Sequence, residues 1–381
     1  MTDLMEELQS LQTEIINIVD SLSDVEYKQQ YHPDLSPVGW HLGHCIYTET
    51  YWIREQLLKL PPLKETLRAL YVPEMSEKKK RSAVLPEKTK LINWAKKIQA
   101  ENKALLNTYL ADKNSHELMK NDYLIHFLIQ HYSQHIETVL IILTEMQLGK
   151  NGMLTKSIKS MDAGSRHQDM ITIPAGQYFI GSKTEHYPYD NEHPGHEVKI
   201  EEFNIAIIPV SNSEYFVFMN DGGYTMQSYW SDAGWEWCKI NKIKHPHHWR
   251  FYDSWVGVNH NGPFTLNPDD AVYGLSHYEA SAFAKWAGAR LPHEYEWEIA
   301  NQENILDQTN QVWEWCNNTF HPYPGFVAYP YEGYSTPYFD GAHYVLKGAS
   351  SLTKPFIKRS SFRNYYTADK RHIYAGVRLV Y

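Results

Sequence analysis

The apolar residues of this chain follow one spacing up to about residue 150 and another after it. In the first stretch Leu4, Leu8, Leu11, Ile15, Ile18 and Leu22 recur at alternating four- and three-residue steps, which lines them along one helix face. Ser36-Pro37 reads as an N-cap followed by proline at the first helical position. It opens a second helix through Trp40, His44, Tyr47 and Ile53 to about Leu58. A third pattern spans about Glu87 to Leu110; a fourth opens near Ser115, bends around Lys120 to Asp122 and runs to about Leu148. Four helices with modest connections predict an up-and-down bundle, since each apolar face needs another to cover it.

Beyond a linker over 151–170 the signals become short and irregular. MITIPAGQYFIGS (170–182) reads as two strands around a Pro-Ala-Gly turn, and turn residues then punctuate the chain about every ten positions. One clear helix interrupts them, Ser276 to Ala287, with Ser276 as N-cap and Glu279 completing a capping box. Two domains are expected, 1–150 and 171–381, the second pinned by aromatic packing and carrying its binding residues on loops.

Charge and composition narrow the function. With 36 basic and 45 acidic residues the formal net charge is −9, and Lys78 to Arg81 is the main basic cluster, so nucleic acid is not expected as a partner. Uninterrupted apolar runs are too short to cross a membrane, and the acidic, amphipathic start is unlike a signal peptide; the default expectation is a cytoplasmic protein. Three scattered cysteines, Cys45, Cys238 and Cys316, suit a reducing compartment rather than a disulfide framework.

The chemistry concentrates in FLIQHYSQHIET (127–138). His131 and His135 stand four residues apart on the fourth helix, so both project from the face that carries Leu128, Val139 and Ile142. Such a pair is either hydrogen-bonded core or one edge of a metal site. The second helix adds His41 and His44 in GWHLGHCIYTETYW (39–52), and facing helices of a bundle bring such side chains together in its core. Three neutral imidazoles leave two or three positions of a divalent ion open, and both zinc and iron(II) accept this donor set. Glu137 points off the shared face and reads as an outer or surface group.

WHLGH (40–44) followed downstream by H-x-x-x-H-x-E (131–137) resembles the DinB-like helical domain. MITIPAGQYFIGS, ARLPHEYEWEIA (289–300), QVWEWCNNTFHPYPGF (311–326), YVLKGAS (344–350) and FRNYYTADKRHIYAGVRL (362–379) resemble the formylglycine-generating-enzyme, or sulfatase-modifying-factor, fold. The fold class so implied is a DinB-like four-helix bundle followed by a C-type-lectin-like α+β domain. In this order the two resemble the ergothioneine and ovothiol sulfoxide synthases, which are non-haem iron enzymes. The resemblance implies an iron(II), O2-dependent enzyme joining the imidazole of hercynine to a small thiol such as cysteine. The same chemistry on histidine, or with a selenium donor, is its alternative.

Residue by residue, the resemblance makes His44, His131 and His135 the iron ligands, with His41 where the family tolerates aspartate. It gives Gln134 a contact to the substrate imidazole, and Asn364 and Tyr365 the amino-acid end, at a site where bundle and second domain meet. Relatives that use glutamylcysteine carry an aspartate and an arginine where this chain has Tyr366 and Lys370, which favours free cysteine or another small thiol. Lys370, Arg371 and Arg81 are candidate partners for a carboxylate. In HPYPGFVAYPYEGYS (321–335), Tyr329 is favoured as the tyrosine that supplies a proton or electron, with Tyr323 and Tyr331 in reserve.

Three rival classes have their own signatures. A formylglycine-generating enzyme needs a cysteine pair near its KGGS-like segment, and LKGASSLTKPFIKRSS (346–361) contains none. A DinB-like thiol transferase would use the histidines without oxygen and leave the second domain idle. A ligand-binding module would not need the histidines. Trp313-Glu314-Trp315 reads as core, KHPHHW (244–249) as a surface loop, and Cys316 has no partner that would make it a nucleophile.

Overall fold

The computed structural model describes residues 2–109, 116–150, 169–183 and 187–381. The chain divides into two units, Met1–Gly149 and Lys150–Tyr381. Most of the expected linker, residues 151–168, and the helix start near Ser115 lie outside the described residues.

The first unit is helical: α1 (Thr2–Ser21), α2 (Val38–Thr50), α3 (Glu65–Tyr71), α4 (Lys78–Val84), α5 (Lys88–Tyr109) and α6 (Tyr123–Leu148). Helix α1 packs on α5 and α6, and α2 packs on the same two, which makes the expected bundle. Leu8, Leu11 and Ile15 of the α1 stripe are buried, joined by Ile16 and Val19. The bend before α6 is a 3-10 turn, Glu117–Asp122, closed by left-handed Asn121 and Asp122.

Two expectations are corrected. Pro37 is itself the N-cap of α2, which begins at Val38 with no side-chain cap, and Ser36 instead accepts a hydrogen bond from Arg81. The end of that helix widens into a π-helix, Tyr51–Leu57. The short α3 and α4 carry too few periodic residues to be read from the sequence.

The second unit holds β1 (Met170–Ile173), β2 (Gly176–Ile180), β3 (His196–Ile200), β4 (Phe203–Ala206), α7 (Asn212–Asn220), α8 (Asp232–Ile240), β5 (Trp249–Tyr252), β6 (Ser254–Asn259) and β7 (Gly262–Thr265). It continues with α9 (His277–Trp286), α10 (Glu294–Gln302), β8 (Trp313–Thr319), β9 (His343–Gly348), β10 (Asn364–Thr367) and β11 (Ala375–Gly376). The strands of MITIPAGQYFIGS form, but they do not pair with each other: β1 joins β4 and β2 joins β3. The largest sheet has the order β10-β9-β8-β11, with β11 parallel to β8. Ser276 caps α9 in the expected box with Glu279.

Trp313, Glu314 and Trp315 are core, and Glu314 takes Arg378 and the Trp297 indole N–H as buried partners. The KHPHHW segment is not a surface loop throughout. His248 is fully buried against Tyr273 and Tyr374, because aromatic neighbours offer its ring more contact than water does.

Candidate metal centre

The centre is built on two facing helices and one backbone carbonyl. On α2, Gly39 and Gly43 leave room for two tyrosines: a Cβ at Gly43 would stand 2.1 Å from the Tyr71 ring. That close approach brings the Tyr71 carbonyl to 2.7 Å from His44 Nδ1. A carbonyl only accepts, so Nδ1 carries the hydrogen and Nε2 keeps its lone pair. The neighbouring segment is held by the Trp40 indole N–H, which donates to Leu70 O at 2.8 Å. Trp40 also stacks on His44, with centroids 4.8 Å apart, and carries the Arg81 guanidinium 3.8 Å from its ring centre.

Helix α6 supplies the other two imidazoles. His131 Nε2 lies 3.2 Å from His44 Nε2. Nitrogen donors about 2.1 Å from one ion stand about 3.0 to 3.4 Å apart at octahedral to tetrahedral angles, so this separation suits a shared ion. The His135 ring is 4.5 Å from that of His131 and 4.7 Å from that of His44. His44, His131 and His135 each offer a ring nitrogen within 4.8 Å of the others.

Burial is the first cause that lowers the pKa of all three, and their mutual proximity or Arg81 adds to it; His44 falls to about 4, against the opposing pull of its Tyr71 hydrogen bond. All three are therefore neutral at pH 7, as metal ligation requires. The donor set fits a divalent transition metal.

His41 adds a fourth imidazole, its Nδ1 2.9 Å from His135 Nδ1. Glu137 is buried rather than on the surface. Gln134 lies in the helical turn between His131 and His135, partly buried. Arg81 is 3% exposed, and its guanidinium donates to Ser36 Oγ, Ser76 Oγ, Ser76 O and Pro73 O.

The remaining candidates lie in the second unit. Asn364, Tyr365 and Tyr366 sit on β10 against Leu346, Val345 and Tyr344 of β9. Tyr365 stacks on Phe320 and donates its hydroxyl to Tyr334 O at 2.7 Å. Lys370 pairs with Asp369 at 3.0 Å. Arg371 holds Glu279 at 2.9 Å and the His245 carbonyl, so its charge is already met by a buried carboxylate. Tyr323 is core, beneath Arg363 at 4.1 Å, whereas Tyr331 is exposed.

Tyr329 is partly buried on the loop after β8, its N–H donating to Asp190 Oδ2 at 3.4 Å. Asp190 also accepts from Ser335, and Tyr189 stacks on Tyr334 at 4.1 Å, so both ends of the tyrosine-rich loop are anchored on one short segment. Sequence reasoning missed Tyr71 and Asp190. The paired glycines at 39 and 43 were a readable sign of close approach to α2; Asp190 left none.

Residues 156–310 and 301–381, more than half of the chain, match the sulfatase-modifying factor enzyme 1-like domain. The chain belongs to that family. Residues 7–139 match the DinB superfamily. Hercynine oxygenase of Mycobacterium tuberculosis is 28% identical over 417 residues, spanning 96% of this chain and 95% of its own. That of Mycolicibacterium smegmatis is 28% identical over 434 residues, spanning 99% of this chain and 98% of its own. The formylglycine-generating enzyme of Bos taurus aligns over 161 residues at 28% identity, 39% of this chain and 42% of its own. The hercynine oxygenase alignments run through both units. Among the described residues no helix is long and apolar enough to cross a membrane.

Proposed function

We propose that this protein is an iron(II)- and oxygen-dependent sulfoxide synthase of the ergothioneine type, joining the sulfur of cysteine or a related small thiol to an imidazole carbon of hercynine. The observation that carries the reading is the three-imidazole cluster of α2 and α6, in a chain that aligns nearly end to end with proteins named hercynine oxygenase. Zinc has no redox chemistry to offer dioxygen; iron(II) bound to the same imidazoles supplies it. The reaction balances with one oxygen atom on sulfur and the other released as water, which takes the hydrogens of the S–H and the imidazole C–H.

The chain's own residues then have defined tasks. Buried neutral imidazoles present lone pairs, and the Tyr71 carbonyl orients one of them. Gln134 hydrogen-bonds the substrate imidazole, Asn364 and Tyr365 hold its amino-acid end, and Tyr329 moves a proton at its hydroxyl. Lys370, in its partly exposed pair with Asp369, is the candidate partner of the thiol's carboxylate ahead of the more buried Arg81 and Arg371, and Tyr366 is the second candidate contact for the thiol.

Mass spectrometry of aerobic incubations with iron(II), hercynine and cysteine tests this. The expected product is a hercynine–cysteine adduct with one added oxygen, absent without O2 and absent in His131→Ala. Untouched hercynine would redirect the reading to histidine or another sulfur or selenium donor. Failure of those donors too, in a protein that still binds zinc, would favour the thiol-transferase class instead.

A further inference from the structure

The three-histidine cluster leaves one buried imidazole without a task. His41 is 5% exposed, its Nδ1 is 2.9 Å from His135 Nδ1, and its Nε2 is buried with no hydrogen-bond partner among the described residues. At 2.9 Å two ring nitrogens share one hydrogen: one donates and the other presents its lone pair. Which does which is decided by the far nitrogen of each ring. A His135 that gives its Nε2 lone pair to an ion must carry its hydrogen on Nδ1, and the only role then left for His41 Nδ1 is acceptor.

We propose that His41 is a positioning residue of the metal centre: it accepts the Nδ1 hydrogen of His135 and so fixes the tautomer and ring orientation of that ligand. The inference rests on the metal-centre reading above. It makes His41 the counterpart of the Tyr71 carbonyl, which does the same for His44 at 2.7 Å. The two orienting groups reach the cluster from different places, one from the helix face of α2 and one from the end of α3. His41 itself is kept in place by its edge-on contact with Trp40, centroids 5.4 Å apart, while Trp40 stacks on His44. A single tryptophan thus braces both the ligand and the residue that orients a second ligand. An outer acceptor of this kind typically changes metal affinity by about 10- to 100-fold.

The test is metal binding rather than turnover. Full-length protein would be titrated anaerobically with iron(II), and with cobalt(II) for its ligand-field spectrum, in competition with a chelator. Four variants bear on the idea: His41→Asn, His41→Gln, His41→Leu and, as a control, His131→Ala. Asparagine places Oδ1 at the same number of bonds from Cα as histidine Nδ1, whereas glutamine places its oxygen one bond further out. His41→Asn is expected to bind within about threefold of the parent. His41→Gln and His41→Leu should bind about 10- to 100-fold more weakly, still one ion per chain and with the cobalt spectrum shifted.

A thermal melt of each variant separates loss of the fold from loss of the acceptor. Leucine binding as tightly as histidine, or asparagine as weakly as leucine, would overturn the proposal. So would complete loss of the ion in all three His41 variants, as in His131→Ala, because His41 would then be a ligand. A parent protein that binds neither ion removes the metal centre itself, and a parent that binds tightly but makes no sulfoxide removes only the reaction.

Discussion

At the scale of single residues, the glycine of WHLGH decides whether the centre can form. Gly43 needs no unusual backbone angle; what it needs is the absence of a side chain, since its Cβ would meet Tyr71 atoms at 2.1 and 2.2 Å. Gly43→Ala is expected to destabilise the protein by roughly 1 to 3 kcal/mol through overpacking, despite alanine's better helix propensity. It should also weaken metal binding, because a displaced Tyr71 takes its carbonyl from His44. Chemical denaturation of parent and variant, followed by the same titration, checks both, and an alanine variant as stable as the parent would count against the packing argument. The shared direction of His131 and His135 was legible in the sequence because helix periodicity sets which side chains share a face, whereas the choice of His44 over His41 came from the resemblance of WHLGH. The Tyr71 carbonyl was not legible, since a backbone atom arriving from another segment leaves no side-chain signature. What Arg81 and Arg371 already hold was not legible for a related reason: Ser36 lies 45 residues from Arg81 and Glu279 lies 92 from Arg371, so the sequence does not show that they meet.

At the scale of elements, α1, α5, α6 and α9 were readable from period and caps, while strand pairing was not. β1 and β2 are consecutive and look like a hairpin, yet they pair with β4 and β3, a choice made by long-range packing that period-two patterning does not encode. Nor does composition reveal that charged pairs fix β10 and α10. Arg363, just before β10, grips Glu294 at the start of α10 at 2.7 Å, and Arg359 grips Glu192. Burial pushes both carboxyls up, and the facing guanidiniums more than offset it, so both end below the ordinary carboxylate pKa of 4.5. A depressed folded-state pKa means that the stabilisation is present above about pH 4.5 and is lost as pH falls from there through the depressed value. Stability is therefore expected to drop on acidification below about pH 4.5, each carboxylate contributing at most about 1.4 kcal/mol per pH unit. Denaturation midpoints of the parent and of Glu294→Gln at pH 3.5 to 7 read this out. The variant should start less stable at neutral pH, with Arg363 left unpaired, and show a shallower acid limb; an unchanged slope would rule out Glu294 as a contributor.

At the scale of the whole molecule, the division of labour has a spectroscopic consequence. The three imidazoles belong to Met1–Gly149, the unit with the long helices, whereas nine of the twelve tryptophans follow residue 169. Far-UV circular dichroism thus follows mainly the first unit, and tryptophan fluorescence mainly the second. An ion that binds only the folded centre stabilises it by RT ln(1 + [L]/Kd), about 2.7 kcal/mol when free ion is a hundredfold above Kd. For a unit of this size that corresponds to a rise in Tm of roughly 5 to 10 °C. Iron(II) added under anaerobic conditions should therefore raise the circular-dichroism midpoint by that amount in the parent and not in His131→Ala. The fluorescence midpoint should follow only if the two cores unfold together, so the gap between the two signals measures their coupling directly. A circular-dichroism midpoint that ignores the ion in the parent would mean that the folded bundle does not bind it. The imidazoles would then be a hydrogen-bonded core cluster, and the oxygenase reading would lose the observation that carries it.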